Sequence, residues 1–424
     1  MFRLSLLSNA FPALHGLRVV AVLVIVQVHM TSTAVFRGYP VGEDLKWYSQ
    51  ALWPGMDFFF VLSGFLIGTI ILYSLRESSN FKVGRFYARR AFRIFPLYYV
   101  VLLLVSFLPQ PPRPARYLGI FPHHEGINWR ELVYLTNYPM DFSNVMYWSW
   151  SLSVEEHFYL LVPFLLLGLQ AVSSPRRRLY LLGALWFSCL LVKTVALLLN
   201  WKILPTAFFR EIYFTTHTRY DCLVAGIFAA YLHQMAPSRF SAFFTSGRGR
   251  ALTWGLNLAL LALVLTQFSV SELAFRERAY YLKGAFIVGT PTSLCFALLI
   301  LWAVYDGGSF LGHSLMRKVA TLSYGVYLIH IPVLEQLIFP TVVKGGLSRG
   351  YSFLTCWWIG YLIAIPTILL FAYFFHLVVE KPMLLLRERL APSVSGPVPL
   401  DPVDPEDELS YPEERADQPQ ADSR

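Results

Sequence analysis

Runs of about twenty apolar residues recur along this chain, beginning with LRVVAVLVIVQVHMTSTAVF at 17–36. A helix needs about that many residues to cross roughly 30 Å of hydrocarbon. No water satisfies backbone groups inside that layer, so each crossing must close its own hydrogen bonds. The expected fold class is therefore all-α, a polytopic integral membrane protein. Composition agrees: of 424 residues, 56% are hydrophobic and 14% charged, and mean hydropathy is +0.50.

About ten spanning segments are expected, at 17–36, 52–75, 93–108, 149–169, 179–199, 217–235, 251–268, 284–304, 321–342 and 351–378. Orientation follows from the short basic loops. RESSNFKVGRFYARRAFR at 76–93 and SSPRRRLY at 173–180 are dense in arginine and are expected on the cytoplasmic side. Alternation then places both termini in the cytoplasm, and the loops carrying Arg239, Arg248, Arg250, Arg317 and Lys318 fall on that side too. Segments 37–51, 109–148, 200–216, 269–283 and 343–350 are expected outside. The longest of these opens with the Pro-rich LPQPPRPARYLGIFPHHEG (108–126), read as an extended cover in which His123 and His124 have a surface role. The first apolar run reads as a retained helix rather than a cleaved signal.

The net charge of +9 is unevenly spread: residues 391–424 carry −7 and the rest +16. Two regions follow, a membrane-embedded domain at 1–390 and an acidic, disordered tail at 391–424. A basic membrane core reflects loop charge, and with no zinc finger or basic helical motif no nucleic acid partner is expected. Cys189, Cys222, Cys295 and Cys356 sit in apolar segments and read as buried small hydrophobes, with no metal cluster.

Charged groups inside such segments are costly and draw attention. Glu155 and Glu156 open the otherwise apolar run MYWSWSLSVEEHFYLLVPFLLLGL (146–169). Ser151, Glu155 and Tyr159 are spaced by four and share a helix face, while Glu156 points about 100° away. His29 lies in the outer half of the first helix and Arg18 near its inner start. Counted from the expected boundaries, His29 and Glu155 lie at similar depth. An imidazole and a carboxylate so placed form either a general base with its orienting partner or an ordinary interhelical hydrogen bond. Asp57, at the outer end of the second helix, is either a site residue or a structural ion-pair partner. The glycines at 55, 64 and 68 suit close helix packing. Arg85, Arg89 and Arg93 form an i,i+4 set that either records topology or presents guanidiniums to phosphates. Arg219 and Asp221 suggest a polar interior cluster. His330 and Pro332 interrupt another apolar run, with His330 as a structural hydrogen-bonding residue and Pro332 as a bend.

These stretches, taken together, resemble the integral membrane acyltransferases of the acyltransferase-3 family, which includes O-antigen, peptidoglycan and macrolide O-acyltransferases. The resemblance runs in order through LHGLRVVAVLVIVQVH, GMDFFFVLSGFLI, RFYARRAFRIFPLYYV, WSLSVEEHFYLLVPFLL, THTRYDCLVAGIFAAYL, LSYGVYLIHIP and VVEKPM, over residues 11–383. It implies transfer of an acyl group, commonly acetyl, from cytoplasmic acyl-CoA to a hydroxyl of an acceptor, often a carbohydrate, glycolipid or glycosylated small molecule. His29 matches the family's catalytic histidine and Arg18 its first-motif arginine. Arg89, Arg90 and Arg93 match the motif associated with the acyl donor, and Glu155 and Glu156 the acidic pair. One departure is His15, where the motif usually has aspartate, which puts in doubt any ion pair that carboxylate would make with Arg18. No fused hydrolase-like domain is expected in the remaining tail.

The expected mechanism has CoA phosphates near the arginines, the pantetheine arm reaching inward, and His29 deprotonating the acceptor hydroxyl, with Ser151, Tyr159, Asp57, Arg219, Asp221 and His330 in support. Acyl-CoA is expected as co-substrate, with no resident cofactor or metal. A transporter or flippase is the competing class, since helices with buried polar residues suit transport, but no paired repeat of broken helices is seen.

Overall fold

The computed structural model describes residues 11–77, 81–109, 126–138, 144–201, 208–268 and 289–392. The Pro-rich stretch with His123 and His124, the segment at 269–283 and the acidic tail beyond residue 392 lie outside the described residues.

The described chain is helical throughout. Its main helices are α1 Ala13–Phe36, α2 Glu43–Ala51, α3 Gly55–Glu77, α4 Val83–Ser106, α5 Trp129–Leu132, α6 Trp150–Gln170, α7 Pro175–Leu199, α8 Tyr220–Met235, α9 Pro237–Thr245, α10 Gly247–Phe268, α11 Thr290–Asp306, α12 Ser314–Thr321, α13 Ser323–Val333, α14 Phe353–Phe375 and α15 Lys381–Leu390. Local chemistry sets several of their ends. Ser174 caps α7 ahead of Pro175 at the first helical position, and Ser352 caps α14.

Among the described residues, six stretches are long and apolar enough to cross a membrane: Ala13–Phe36, Gly55–Arg76, Tyr147–Gln170, Pro175–Leu199, Ser323–Ser348 and Phe353–Leu390. This corrects the count of about ten, and the alternation that put both termini in the cytoplasm loses its basis. The other four segments fall short for physical reasons. α8 has 16 residues and α11 has 17, so they reach only about 24–26 Å. α4 has 24 residues, but Arg85, Arg89, Arg90 and Arg93 occupy its first half. α10 begins with Arg248 and Arg250 and carries Thr253 and Asn257 on the next turns.

The bundle divides each spanning helix into a lipid-type face and a packed face. On α6, Leu160, Leu161 and Phe164 are exposed, whereas Phe158, Tyr159, Val162 and Leu166 are buried. α3 and α8 make the closest helix pair. A Cβ on Gly64 would meet the Leu223 carbonyl and come within 3.1 Å of Gly226 Cα, and one on Gly68 would lie 3.3 Å from Ile227 Cα. Only glycine lets the two backbones approach so closely.

The stretch expected to lie outside, 109–148, turns back into the bundle over its described part. Glu131 is fully buried; its carboxylate accepts the Asn128 amide (3.0 Å), forming a capping box, and the Met146 amide (2.7 Å). Burial pushes its pKa up against the pull of those amides. The hydroxyls of Tyr98 and Tyr99 on α4 donate to the carbonyls of Glu131 (2.9 Å) and Leu132 (2.7 Å). Tyr134, at φ 56°, stacks on Phe95 at 5.3 Å. The chain therefore enters α6 from within the protein. Trp148, just before α6, donates its indole N–H to the Leu328 carbonyl on α13 (3.2 Å).

Beyond Pro332, α13 passes into a π-helix at Leu334–Val343, a local unwinding consistent with the missing proline N–H.

Candidate active site

α1, α3, α4, α6 and α13 gather a line of polar side chains through the bundle. At its upper end His29 Nδ1 lies 2.8 Å from His330 Nε2, with the rings 4.8 Å apart. His330 is fully buried, and its Nδ1 lies 2.6 Å from the carbonyl oxygen of Tyr327 one turn earlier. A carbonyl can only accept, so Nδ1 of His330 carries the proton. In the neutral ring Nε2 is then the acceptor, and it takes the Nδ1–H of His29. The remaining lone pair of His29 is on Nε2, which has no protein partner among the described residues, and the side chain is part-exposed.

Below this pair the Tyr327 hydroxyl donates to the Trp148 carbonyl and so accepts from Ser151 Oγ (2.5 Å). One turn further along α6, Glu155 accepts from Ser63 Oγ (2.8 Å) and from the Tyr159 hydroxyl (3.0 Å). Arg18 and Arg90 lie within electrostatic reach of Glu155. The Arg90 guanidinium sits 5.4 Å from the Tyr159 ring and 5.6 Å from that of Phe86. Arg93 neighbours both Arg18 and Arg90. Arg18, His29, Ser63, Arg90, Arg93, Glu155, Tyr324 and Tyr327 are ringed by protein yet only half-buried. Partial exposure inside the bundle makes this line of polar groups a candidate passage for a substrate.

Glu155 does not meet His29. Because the preceding chain folds inward, α6 starts at the level of Leu328, next to Tyr327 and His330. Five residues of helix then carry Glu155 about 8 Å further, toward Arg18. Glu156 diverges as its spacing requires. Its Oε1 is buried without a hydrogen-bond partner, and Arg90 is a neighbouring charge.

Arg89 turns away from the passage. It forks onto Glu388 of α15 (2.9 and 3.2 Å) and donates to the Ala391 carbonyl (2.5 Å). Arg387 donates to the same Glu388 at 2.6 Å. Arg387 and Glu388 lie past the last recognisable motif, where only an alternation of charges on a short helix marked them.

Asp57, Arg219 and Asp221 form a separate, fully buried cluster at the opposite end of the bundle from the arginines. Asp57 pairs with Arg219 and also accepts from the Gly289 amide (2.9 Å) and Thr292 Oγ1 (2.7 Å). Asp221 pairs with Lys193 (2.5 Å) and accepts from Thr290 Oγ1 (2.7 Å) and the Cys222 amide (3.0 Å). Arg219 lies over the rings of Tyr213 (5.0 Å) and Phe60 (5.7 Å). Both carboxylates thus seat on the turn that starts α11, tying it to α3, α7 and α8. Lys193 is the one basic residue of an otherwise apolar run, and a lone lysine there is itself a sequence signal of such a pair.

The passage can accept an anion at its arginine end and a proton at His29 Nε2, a combination suited to a long phosphorylated donor and a hydroxyl acceptor. Comparison with known proteins points the same way. The family model described as an acyltransferase domain matches residues 11–377. The chain is 27% identical over 341 residues to the peptidoglycan O-acetyltransferase OatA of Listeria monocytogenes, covering 76% of this chain and 49% of that protein. It is 27% identical over 340 residues to the putative peptidoglycan O-acetyltransferase YrhL of Bacillus subtilis, covering 76% and 48%. A putative O-acetyltransferase of Staphylococcus aureus is 23% identical over 337 residues, covering 76% and 50%. The chain therefore spans about half the length of these relatives. No solved structure matches it. With most of its length matched, the chain belongs to the acyltransferase-3 family of multi-pass membrane proteins.

Proposed function

We propose that this protein is an O-acyltransferase that moves an acyl group, acetyl first among candidates, from acyl-CoA to a hydroxyl of a carbohydrate acceptor at the membrane. The observation that carries this reading is the shared face of α1. Arg18 and His29 are eleven residues apart, three helical turns, so they point the same way about 16 Å from each other. A donor whose phosphates rest on Arg18, Arg90 and Arg93 extends its pantetheine arm along the passage and brings its thioester to His29.

His29 Nε2 takes the proton of the acceptor hydroxyl as the oxygen attacks the thioester carbonyl. The tetrahedral intermediate collapses, the C–S bond breaks, and the CoA thiolate recovers the proton from the imidazolium. The products are the ester and free CoA. Glu155, held by Ser63 and Tyr159, offsets the guanidinium charge beside it and keeps the arginines in place before the donor arrives. The dense arginines set the donor end on the cytoplasmic face of the cell membrane, and the acceptor approaches from the other side.

The names of the relatives make a peptidoglycan-type glycan the first acceptor to test. Purified protein in liposomes is given labelled acetyl-CoA and glycan fragments, and products are read by mass spectrometry. A gain of one acetyl group per acceptor, absent with His29→Ala, is expected. Acceptor crossing the bilayer unmodified, with no CoA released, would replace this reading with transport.

A further inference from the structure

We propose that His330 is the positioning residue of a histidine pair, holding His29 in the tautomer and orientation that leave Nε2 free to act as base. This rests on the proposed role of His29. It assigns to a second histidine, and to a backbone carbonyl behind it, the part a carboxylate plays in many hydrolytic sites.

The hydrogen-bond directions run one way. The Tyr327 carbonyl accepts from His330 Nδ1 at 2.6 Å, and His330 Nε2 accepts from His29 Nδ1 at 2.8 Å. The first acceptor belongs to the backbone of α13 and cannot reverse. The chain therefore starts from a fixed point, and each ring is held by a bond whose donor is determined. The alternative tautomer of His29 would put its proton on Nε2, the atom that must receive one. It would also set two lone pairs against each other at Nδ1 and His330 Nε2.

Burial makes a neutral partner the better choice here. His330 is fully buried between α1 and α13 in the membrane interior, where an added carboxylate would carry a large desolvation cost. The two glutamates of α6 lie elsewhere: Glu155 is bonded to Ser63 and Tyr159, and Glu156 lies on the Arg90 side. Within α13, Tyr324, Tyr327 and His330 recur at every third residue. The tyrosine hydroxyls anchor the helix to the Ile94 carbonyl on α4 (2.8 Å) and to Ser151 and Trp148. These anchors fix where the Tyr327 carbonyl, and hence His330, can sit.

Two substitutions separate positioning from structure. In His330→Gln the amide oxygen reaches the former Nε2 position and accepts from His29 Nδ1–H, but the Tyr327 carbonyl loses its donor. In His330→Asn the side chain ends at the former Nδ1 position, so the carbonyl keeps a donor and His29 loses its acceptor. With acetyl-CoA as donor, kcat for His330→Asn is expected to fall about 100-fold or more while KM for acetyl-CoA stays within about twofold of wild type. His330→Gln is expected to retain kcat within about tenfold of wild type.

The tautomer is read independently of activity by nitrogen NMR of histidine-labelled protein in lipid nanodiscs, with the His29 signals assigned by their loss in His29→Asn. The protonated nitrogen of His29 is expected to be Nδ1 in wild type and in His330→Gln, and not in His330→Asn. Wild-type His29 protonated at Nε2, or His330→Asn at least as active as His330→Gln, would overturn the proposal and leave the role of His29 standing. Full activity in His29→Ala would instead remove the reading on which it rests. The wild-type spectrum decides the tautomer even if neither His330 variant folds.

Discussion

Replacing Lys193 by methionine strips one partner from a buried ion pair and leaves an unpaired carboxylate inside the protein. Lys193 and Asp221 are 1% and 0% exposed, with Nζ 2.5 Å from Oδ2. Breaking such a pair from one side costs about 3–5 kcal/mol, because the remaining charge stays desolvated. Asp221 keeps two of its donors, Thr290 Oγ1 at 2.7 Å and the Cys222 amide at 3.0 Å. The cost therefore belongs near the lower limit, about 3 kcal/mol, or roughly 150-fold in the folding equilibrium. Asp221 also holds the start of α11, so the loss spreads to the α7–α8–α11 junction. The double variant Lys193→Met with Asp221→Leu removes both charges and is expected within about 1 kcal/mol of wild type. Thermal unfolding in nanodiscs, followed by tryptophan fluorescence, reads both. A marked drop for the single variant and recovery in the double is the expected pattern. A single variant as stable as wild type, or a double less stable than the single, would refute the pairing and its placement.

Two further outcomes follow from the same geometry. Arg93 has no hydrogen-bond partner among the described residues and faces Arg18, whereas Arg89 is engaged by Glu388. Arg93→Ala is therefore expected to raise KM for acetyl-CoA about tenfold or more, and Arg89→Ala no more than about threefold; equal effects in steady-state kinetics would contradict this division. The Tyr138 hydroxyl accepts the His217 amide (3.0 Å) and lies 2.8 Å from its Nδ1. Although the side chain is largely exposed, partial desolvation by its neighbours lowers the imidazole below its ordinary 6.5, partly opposed by Glu211. The folded state resists protonation there, so this contribution to stability is complete above pH 6.5 and is lost as pH falls below it. Unfolding midpoints from pH 7 to pH 4.5 should decline more steeply in wild type than in His217→Gln, and parallel curves would count against it.

The apolar runs made the fold class and several helix positions legible, because each crossing carries its own length and hydropathy. The number of crossings was not legible. Segments such as Tyr220–Met235 and Thr290–Asp306 are mostly apolar but too short to span unaided, and a window that tolerates uncertain ends cannot tell the two cases apart. The depth of Glu155 depended on a similar assumption, that residues on different helices can be levelled by counting from their expected ends. The folding of 126–138 and 144–149 back into the bundle rests on contacts between distant residues, such as Trp148 with Leu328 and Tyr98 with Glu131, which leave no periodic trace. His29, Arg18 and the arginine run stood out as charges and rings in costly places, and the motifs placed them in order. His330 also stood out, but its partner on α1 is 301 positions away, so its bond to His29 needed the fold. Asp57, Arg219 and Asp221 were legible as buried charges, while their separation from the passage was not.

The most direct test of the account compares donor binding with turnover in His29→Gln, which keeps a polar side chain on the passage but cannot serve as a base. Acetyl-CoA affinity and the rate of CoA release with saturating acceptor are measured on the same nanodisc preparation. The expected result is a dissociation constant within about threefold of wild type, because the phosphates rest on arginines about 16 Å away, with turnover reduced by about 100-fold or more. Wild-type turnover in His29→Gln would contradict the central claim.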